Sequence, residues 1–182
     1  RCFFFLLVVV VVVGLKGSAG WVVNDNFDRD LDGHVTRTRQ RTLAAGTISV
    51  KQALLLAAFL GLAAFLLVLF CNHLTIMLAF AGVAFVVIYP LLKRVTHLPQ
   101  LGLGIAFSWG VPMAFAAVTG RVPAAAWLVF TTAALWPVIY DTMYAMFDRD
   151  DDLTIGVKST AIFFGERDVL FITIMRVLFL GF

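Results

Sequence analysis

The chain has 182 residues, of which 62% are hydrophobic and only 14% are charged, and its mean hydropathy is +0.97. Soluble domains are roughly 45–50% apolar and about 25% charged, so this composition excludes an ordinary water-soluble domain and indicates an integral membrane protein. The formal net charge of +3 comes from basic residues in the loops between apolar stretches, and we do not expect nucleic acid as a partner.

Apolar stretches of about 20 residues are long enough to cross a bilayer as helices. The sequence predicts such spans at residues 2–23, 53–70, 74–92, 101–119, 124–147 and, in part, 169–182. The first stretch has no small-residue cleavage site and continues directly into a polar motif, so it predicts a span and not a signal peptide. We expect an all-α polytopic bundle in which residues 1–182 form a single membrane domain that is incomplete at both ends.

The connections between the predicted spans differ in length and charge. Residues 24–52 and 148–168 are long and charged, whereas residues 71–73 and 120–123 are short. Antiparallel alternation of the spans puts the two long loops and residues 93–100 on one face, which we call face A. Face A also carries most of the basic residues, which predicts that it is the cytoplasmic face.

Two prolines lie inside the predicted spans, at Pro112 and Pro137. Each removes one backbone hydrogen bond from its helix and is able to kink it. Pro137 precedes Asp141 by four residues, so a kink there would help to aim the following acidic residues.

The first acidic motif, "NDNFDRDLD", covers residues 24–32. Asp25, Asp28 and Asp32 follow an i, i+3, i+7 spacing that places them on one stripe of a helix, and Asn24 is an i, i+4 neighbour of Asp28. Asp30 lies off this stripe, and we expect it to face water.

The second acidic motif, "YDTMYAMFDRDDD", covers residues 140–152 and contains five of the eleven acidic residues. Its members with the same helical spacing are Asp141, Tyr144, Asp148, Asp151 and Asp152. Asp150 lies off the pattern, and we expect it to face water.

The chemistry of both motifs points to a hard cation. Their ligands are oxygens with no interleaved Cys or His, and Mg²⁺ is typically held by one or two carboxylates together with substrate phosphates and water. Carboxylates this close repel one another unless a cation is present. The alternative is that the acids are solvated helix ends, but two similarly spaced clusters on one face favour a site for Mg²⁺ and a phosphorylated ligand.

Basic residues accompany the acids on face A. Lys93 and Arg94 end the third full span, Lys158 follows the second motif, and Arg37, Arg39 and Arg41 close the first loop. Arginine suits bidentate contacts to phosphate or carboxylate, and lysine acts as a point charge. The positive-inside bias alone is the alternative explanation for each of them.

The two motifs carry a family resemblance. "NDNFDRDLDGH" resembles the NDxxDxxxD motif of the UbiA-type intramembrane aromatic prenyltransferases, and "YDTMYAMFDRDDDLTIGVKSTAIFFG" resembles their DxxYAxxDxxDD motif with its following Lys-Ser segment. With "YPLLKRVTHLPQ" and "GVPMAFAAV", the similarity is greatest to members that prenylate 4-hydroxybenzoate in ubiquinone biosynthesis. The family fold implies a nine-helix bundle, of which this chain lacks the first and last helices.

The resemblance implies a reaction and a set of residues. A polyprenyl group passes from polyprenyl diphosphate to the ring carbon ortho to the hydroxyl of 4-hydroxybenzoate, with Mg²⁺ between the two motifs. The implied metal ligands are Asn24, Asp28, Asp32, Asp141, Asp148 and Asp152. The implied catalytic residues are Asp28, Asp148 and Arg94, and the implied substrate-binding residues are Arg37, Lys93, Arg94, Tyr144 and Lys158. The implied location is a bacterial or mitochondrial inner membrane, with the site on the cytoplasmic or matrix side.

Two alternatives stay open at this point. One is a sister prenyltransferase with another aromatic acceptor, and the other is a divalent-cation or anion transporter that uses the same acids. Transport sites often lie near the bilayer midplane at broken helices, so the clustering of the acids at face A favours an enzyme.

Overall fold

The computed structural model describes residues 2–181. All of the secondary-structure elements in this range are helices, and the range contains no β-strand. The helices are α1 (Cys2–Asp32), α2 (Val50–Val68), α3 (His73–Val95), α4 (Pro99–Ser108), α5 (Gly110–Thr119), α6 (Ala124–Phe147), α7 (Arg149–Ile155), α8 (Thr160–Phe164) and α9 (Asp168–Gly181). A 3₁₀ turn, Gly165–Arg167, leads into α9. Phe182, the last residue of the predicted partial span, and Arg1 lie outside the described residues.

Five segments are long and apolar enough to cross a membrane: α1 from Phe3, α2, α3, α4 together with α5, and α6. They correspond to the five complete spans predicted from the sequence, so the protein is an integral membrane protein. Large apolar side chains such as Phe59, Phe70 and Phe107 are exposed on the outside of the bundle, as expected for a surface that contacts lipid.

Helix α1 continues beyond residue 23, where the first span was expected to end, and reaches Asp32, as the helical spacing of the first motif predicts. The polar residues of the first motif therefore lie on the last turns of a helix, and the loop that follows covers only residues 33–49. They are accommodated on the helix because basic side chains from elsewhere in the chain pair with them. The next helix begins at a capping box in which Ser49 and Gln52 bond each other's backbone N–H groups.

The predicted span at 101–119 is broken at Trp109, between α4 and α5. Pro112 has no N–H to donate to the carbonyl of Ser108, so the helical hydrogen bonding fails at this point. The Trp109 ring is buried against Phe85 and Phe130, and its Nε1 donates to the carbonyl of Leu78 at 2.7 Å. In contrast, α6 continues through Pro137.

Helix packing brings α4 close to α6. A Cβ atom on Gly104 would lie 2.6 Å from the carbonyl oxygen of Ala134, so only glycine permits this approach of the two backbones. Helix α6 also contacts α9 on another side, and α1 runs beside α2 and α5. Helix α6 therefore lies within the bundle, and its last turns carry the second acidic motif to face A.

The contacts of the loops confirm that the long connections share one end of the bundle. Thr36 in the first loop donates its backbone N–H to Asp151 at 2.8 Å, and the backbone N–H of Lys158 donates to the carbonyl of Lys93 at 3.1 Å. At the opposite end, Asn72 in a short turn donates to the carbonyl of Ala116 at 2.6 Å. Both acidic motifs are therefore at face A, as predicted.

Candidate active site

The first motif is held by the end of α3. Lys93 donates from Nζ to Asp28 Oδ2 at 2.5 Å, and Asn24 donates from Nδ2 to the same oxygen at 3.1 Å. Asp28 is 3% exposed. A buried carboxylate needs a partner of this kind, because removing a lone charge from water is costly.

The first loop turns back onto α1. Arg41 pairs through Nη1 with Asp25 at 3.1 Å and with Asp32 at 3.0 Å, and Thr38 donates from Oγ1 to the carbonyl of Asp32 at 3.1 Å. The sequence predicts Arg41 on face A but names no partner for it. The structure makes it the link between two carboxylates of the first motif.

The second motif is held by the same loop. Asp148 lies at the joint between α6 and α7, and Arg37 pairs with its carboxylate through both Nε and Nη2, with Nε 3.0 Å from Oδ1. This hydrogen bond raises the pKa of the Arg37 guanidinium above its ordinary value. The guanidinium also lies 4.7 Å from the centroid of the Tyr144 ring, within the range of a cation–π contact.

The two motifs meet in one site. Burial raises the pKa of the Asp152 carboxyl to about 7, and the nearby charge of Asp148 acts in the same direction. The positive charges of Lys93 and Arg37 act on Asp152 in the opposite sense. Because Lys93 also pairs with Asp28, it lies between the first motif and the second.

Asp141 belongs to the same cluster. It precedes Asp148 by seven residues, two turns earlier on α6, so the two carboxylates share one face at the end of this helix. All six residues that the resemblance implies as metal ligands are therefore at face A, on α1, α6, α7 or the joint between α6 and α7. Asp30 and Asp150 are exposed, as predicted.

Two of the predicted substrate-binding residues lie at the margin of the acidic cluster. Arg94 is exposed and donates to the carbonyl of Phe27 at 3.0 Å, and Lys158 donates from Nζ to the carbonyl of Val95 at 3.3 Å. Both are close to residues that contact the acids, but each side chain is bonded to main chain and not to a carboxylate. Their roles stay predictions.

Two polar residues that were not predicted from the sequence support the site or lie deep in the bundle. Gln100 is 3% exposed and accepts the backbone N–H of Thr160 at 3.1 Å through Oε1, and nothing in its local sequence signals that role. Lys16, in the middle of α1, donates to the carbonyl of Ala106 at 3.0 Å. Its position as a single charged residue inside an apolar stretch could have indicated that Lys16 has a polar partner within the bundle.

The donor set suits Mg²⁺. Four of the carboxylates are buried, those of Asp28, Asp32, Asp148 and Asp152. The Oδ1 atom of Asn24 is buried with no hydrogen-bond partner among the described residues, so an unused oxygen donor lies beside Asp28. Within residues 2–181, no three His, Cys, Asp or Glu side chains converge as a ready-made metal site. Basic side chains engage three of the four buried carboxylates, so metal binding requires some of these pairs to rearrange.

Comparison with known proteins decides the family. The model of the UbiA prenyltransferase family matches residues 2–182. The chain belongs to the UbiA prenyltransferase family. Membership agrees with the two acidic motifs and with their convergence at one end of a helical bundle.

Relatives in the UbiA family extend beyond this chain. A 4-hydroxybenzoate octaprenyltransferase of Coxiella burnetii (strain CbuK_Q154) is 58% identical over 159 residues, which are 87% of this chain and 55% of the relative. The chain thus spans a little over half the length of that relative. An apo UbiA homologue from Aeropyrum pernix K1 has a TM-score of 0.77 at 24% identity, over 98% of this chain and 76% of its own. A UbiA homologue from Archaeoglobus fulgidus bound to GPP and Mg²⁺ has a TM-score of 0.70 at 19% identity, over 97% of this chain and 63% of its own. These structures confirm the fold.

Proposed function

We propose that the protein transfers a polyprenyl group from polyprenyl diphosphate to the ring carbon ortho to the hydroxyl of 4-hydroxybenzoate, as a step of ubiquinone biosynthesis. The observation that carries the proposal is the meeting of two acidic motifs that are far apart in sequence. Lys93 pairs with Asp28 of the first motif, and Arg37, from the loop after that motif, pairs with Asp148 of the second. The name of the Coxiella relative supports the choice of acceptor.

Mg²⁺ is the proposed metal, and its ligands would come from Asn24, Asp28 and Asp32 on α1 and from Asp141, Asp148 and Asp152 in the second motif. The Archaeoglobus homologue, which was solved with GPP and Mg²⁺, supports this assignment. When bound, the metal would supply positive charge to the leaving diphosphate. We assign Lys93, Arg37 and Lys158 to the diphosphate oxygens, because cations aimed at developing negative charge stabilise a transition state.

The donor chain would follow α6 into the membrane. Tyr144, Tyr140 and Trp136 are spaced by four residues, and their rings contact one another in sequence, with centroids 4.8 Å and 6.3 Å apart. Eight residues of helix extend about 12 Å, so this aromatic stripe, whose rings lie on an exposed face of α6, leads from Arg37 towards the middle of the membrane. Aromatic faces attract cations, and an apolar wall excludes water from an allylic cation.

The acceptor is assigned to the margin of the site near Arg94. A carboxylate on the acceptor needs a cationic partner to enter a site rich in acids. Arg94 is exposed, and its one hydrogen bond within residues 2–181 is to a carbonyl. One carboxylate of the motifs would take the proton of the phenol. We place the site at the cytoplasmic or matrix side of an inner membrane, on the basis of the basic loops of face A.

The decisive experiment uses the intact protein in membranes with Mg²⁺, a polyprenyl diphosphate and 4-hydroxybenzoate, scored for the prenylated acid. EDTA should abolish turnover and Mg²⁺ should restore it. Asp28→Ala should lose most turnover because it removes a buried ligand, while Asp30→Ala, which removes an exposed carboxylate from the same helix, should not. Full turnover in EDTA would exclude the metal, and turnover only with a different aromatic acceptor would identify a sister prenyltransferase.

A further inference from the structure

A partly buried ion pair outside the set of proposed metal ligands ties α7 to α9. Arg149, the first residue of α7, donates through Nη2 to Oδ2 of Asp168, the first residue of α9, and reaches the carbonyl of Gly165 at 3.4 Å. Asp168 is 5% exposed, and its Oδ1 accepts the backbone N–H of Val169 at 2.5 Å. Both oxygens are engaged, so the Asp168 carboxylate is held in one orientation.

Arg149 directly follows Asp148, which joins α6 to α7. The Asp148 backbone has φ −88° and ψ 2°, and its side chain makes no capping hydrogen bond to α7. The carboxylate is directed instead to Arg37. Its direction therefore depends on how the backbone is held on either side, by α6 before it and by Arg149 after it.

Helix α7 has only seven residues, and isolated helices shorter than about 12–15 residues are marginal in water. It therefore relies on tethers to the rest of the protein. Within residues 2–181, its side chains make polar contacts with other elements at two places: Asp151 with the backbone of Thr36, and Arg149 with α9 and the turn before it. The first tether comes from a loop, and, among the described residues, the second is the polar side-chain contact that joins α7 to another helix.

The burial of the Nε atom of Arg149, whose side chain is otherwise partly exposed, separates it from an ordinary loop arginine. Its Nε is buried and has no hydrogen-bond partner in the described part of the chain. A basic residue present only for membrane orientation would keep its guanidinium in water, where every N–H is satisfied. In this protein the N–H at Nε of Arg149 is left without a partner, while the guanidinium keeps its contact with Asp168.

We propose that Arg149 and Asp168 are positioning residues that fix the start of α7, so that Asp148 and Asp152 point towards the first motif. Neither residue touches the substrate. The inference rests on the proposed function, in which these carboxylates bind Mg²⁺ with the prenyl diphosphate. Replacement of groups that orient metal ligands typically lowers metal affinity or activity 10- to 100-fold.

The test uses the intact protein in detergent and measures two quantities. The first is Mg²⁺-dependent binding of geranyl diphosphate, read as the rise in melting temperature on adding both. The second is KM for the diphosphate, for Mg²⁺ and for 4-hydroxybenzoate. Asp168→Asn and Arg149→Gln should weaken Mg²⁺-dependent binding about 10-fold or more, with an unchanged KM for the acceptor. Arg149→Lys keeps the charge and should retain more binding, and Asp150→Asn, which removes an exposed carboxylate from the same helix, should match the wild type.

The outcomes separate the inference from the proposed function. Failure of the wild type to bind geranyl diphosphate with Mg²⁺ would refute the proposed function and the inference with it. Wild-type binding without prenylation of 4-hydroxybenzoate would refute only the acceptor. Variants that melt at lower temperature but bind the diphosphate and Mg²⁺ like the wild type would show that the pair only stabilises the fold. If Arg149→Gln does not fold, equal binding by Arg149→Lys and the wild type, together with unchanged binding in Asp168→Asn, would overturn the inference.

Discussion

Replacing Lys93 with methionine should destabilise the protein strongly when no divalent cation is present. Lys93 Nζ lies 2.5 Å from Asp28 Oδ2, and the two side chains are 22% and 4% exposed. Removing one partner of a buried ion pair typically costs about 3–5 kcal/mol, because the other charge is left buried and unpaired. For a chain of this size, roughly 2–4 °C of melting temperature corresponds to 1 kcal/mol. The expected fall is therefore about 6–20 °C.

The assay is thermal unfolding of the detergent-solubilised intact protein, first in EDTA and then in Mg²⁺. If Asp28 is a metal ligand, Mg²⁺ should recover part of the loss, because the cation replaces the missing ammonium. Lys51→Met is the matched control: Lys51 is exposed at the start of α2, and its removal should change stability by less than about 0.5 kcal/mol. A loss below about 1 kcal/mol for Lys93→Met in EDTA would refute the reasoning from the buried pair.

Three other predictions concern the acceptor, the packing of α4 on α6 and the orientation of the protein in the membrane. Arg94→Ala should lower kcat/KM for 4-hydroxybenzoate roughly 100-fold, and much less for a phenol without the carboxylate; equal losses would assign Arg94 to the diphosphate or to folding. Gly104→Val should destabilise the protein by about 1–3 kcal/mol or more in thermal unfolding, because its Cβ would lie 2.6 Å from the carbonyl of Ala134, whereas Gly61→Val has open space and should cost less. A cysteine replacing the exposed Arg39 should react with an impermeant maleimide only from the cytoplasmic side, and labelling from outside intact cells would reverse the orientation.

The spans were predictable because a bilayer imposes one length and one polarity on every crossing helix. The extension of α1 to Asp32 was predictable as well, from the helical spacing of the first motif, but the partners that hold those charges on the helix were not. Asp25, Asp28 and Asp32 stay on the helix because Arg41 and Lys93 neutralise them. Those partners are 65 residues away in one case, and a local pattern contains no information about them.

The candidate site was predictable in its residue types and less so in its pairings. Helical spacing placed the acids of each motif on one stripe, and the alternation of spans brought both stripes to face A. It did not show that Arg37 pairs with Asp148, 111 residues later in the chain, or that Arg149 turns away from the site to meet Asp168. These choices depend on how the loops fold back, which is set by tertiary packing.

The broken helix at Trp109 bears on the alternative of a transporter. Helix α4 starts at face A, so the break lies about 15 Å below that face, near the middle of the bilayer, where transport sites are typically formed by interrupted helices. Here the joint between the two helices holds no carboxylate. The buried Trp109 ring packs against Phe85 and Phe130, and Lys16 donates to the nearby carbonyl of Ala106. A transported ion would have to leave the acids of face A and pass this aromatic packing, whereas a membrane-embedded donor needs only to bring its diphosphate to the acids and keep its chain among apolar side chains. The arrangement of charge and packing therefore favours an enzyme over a transporter.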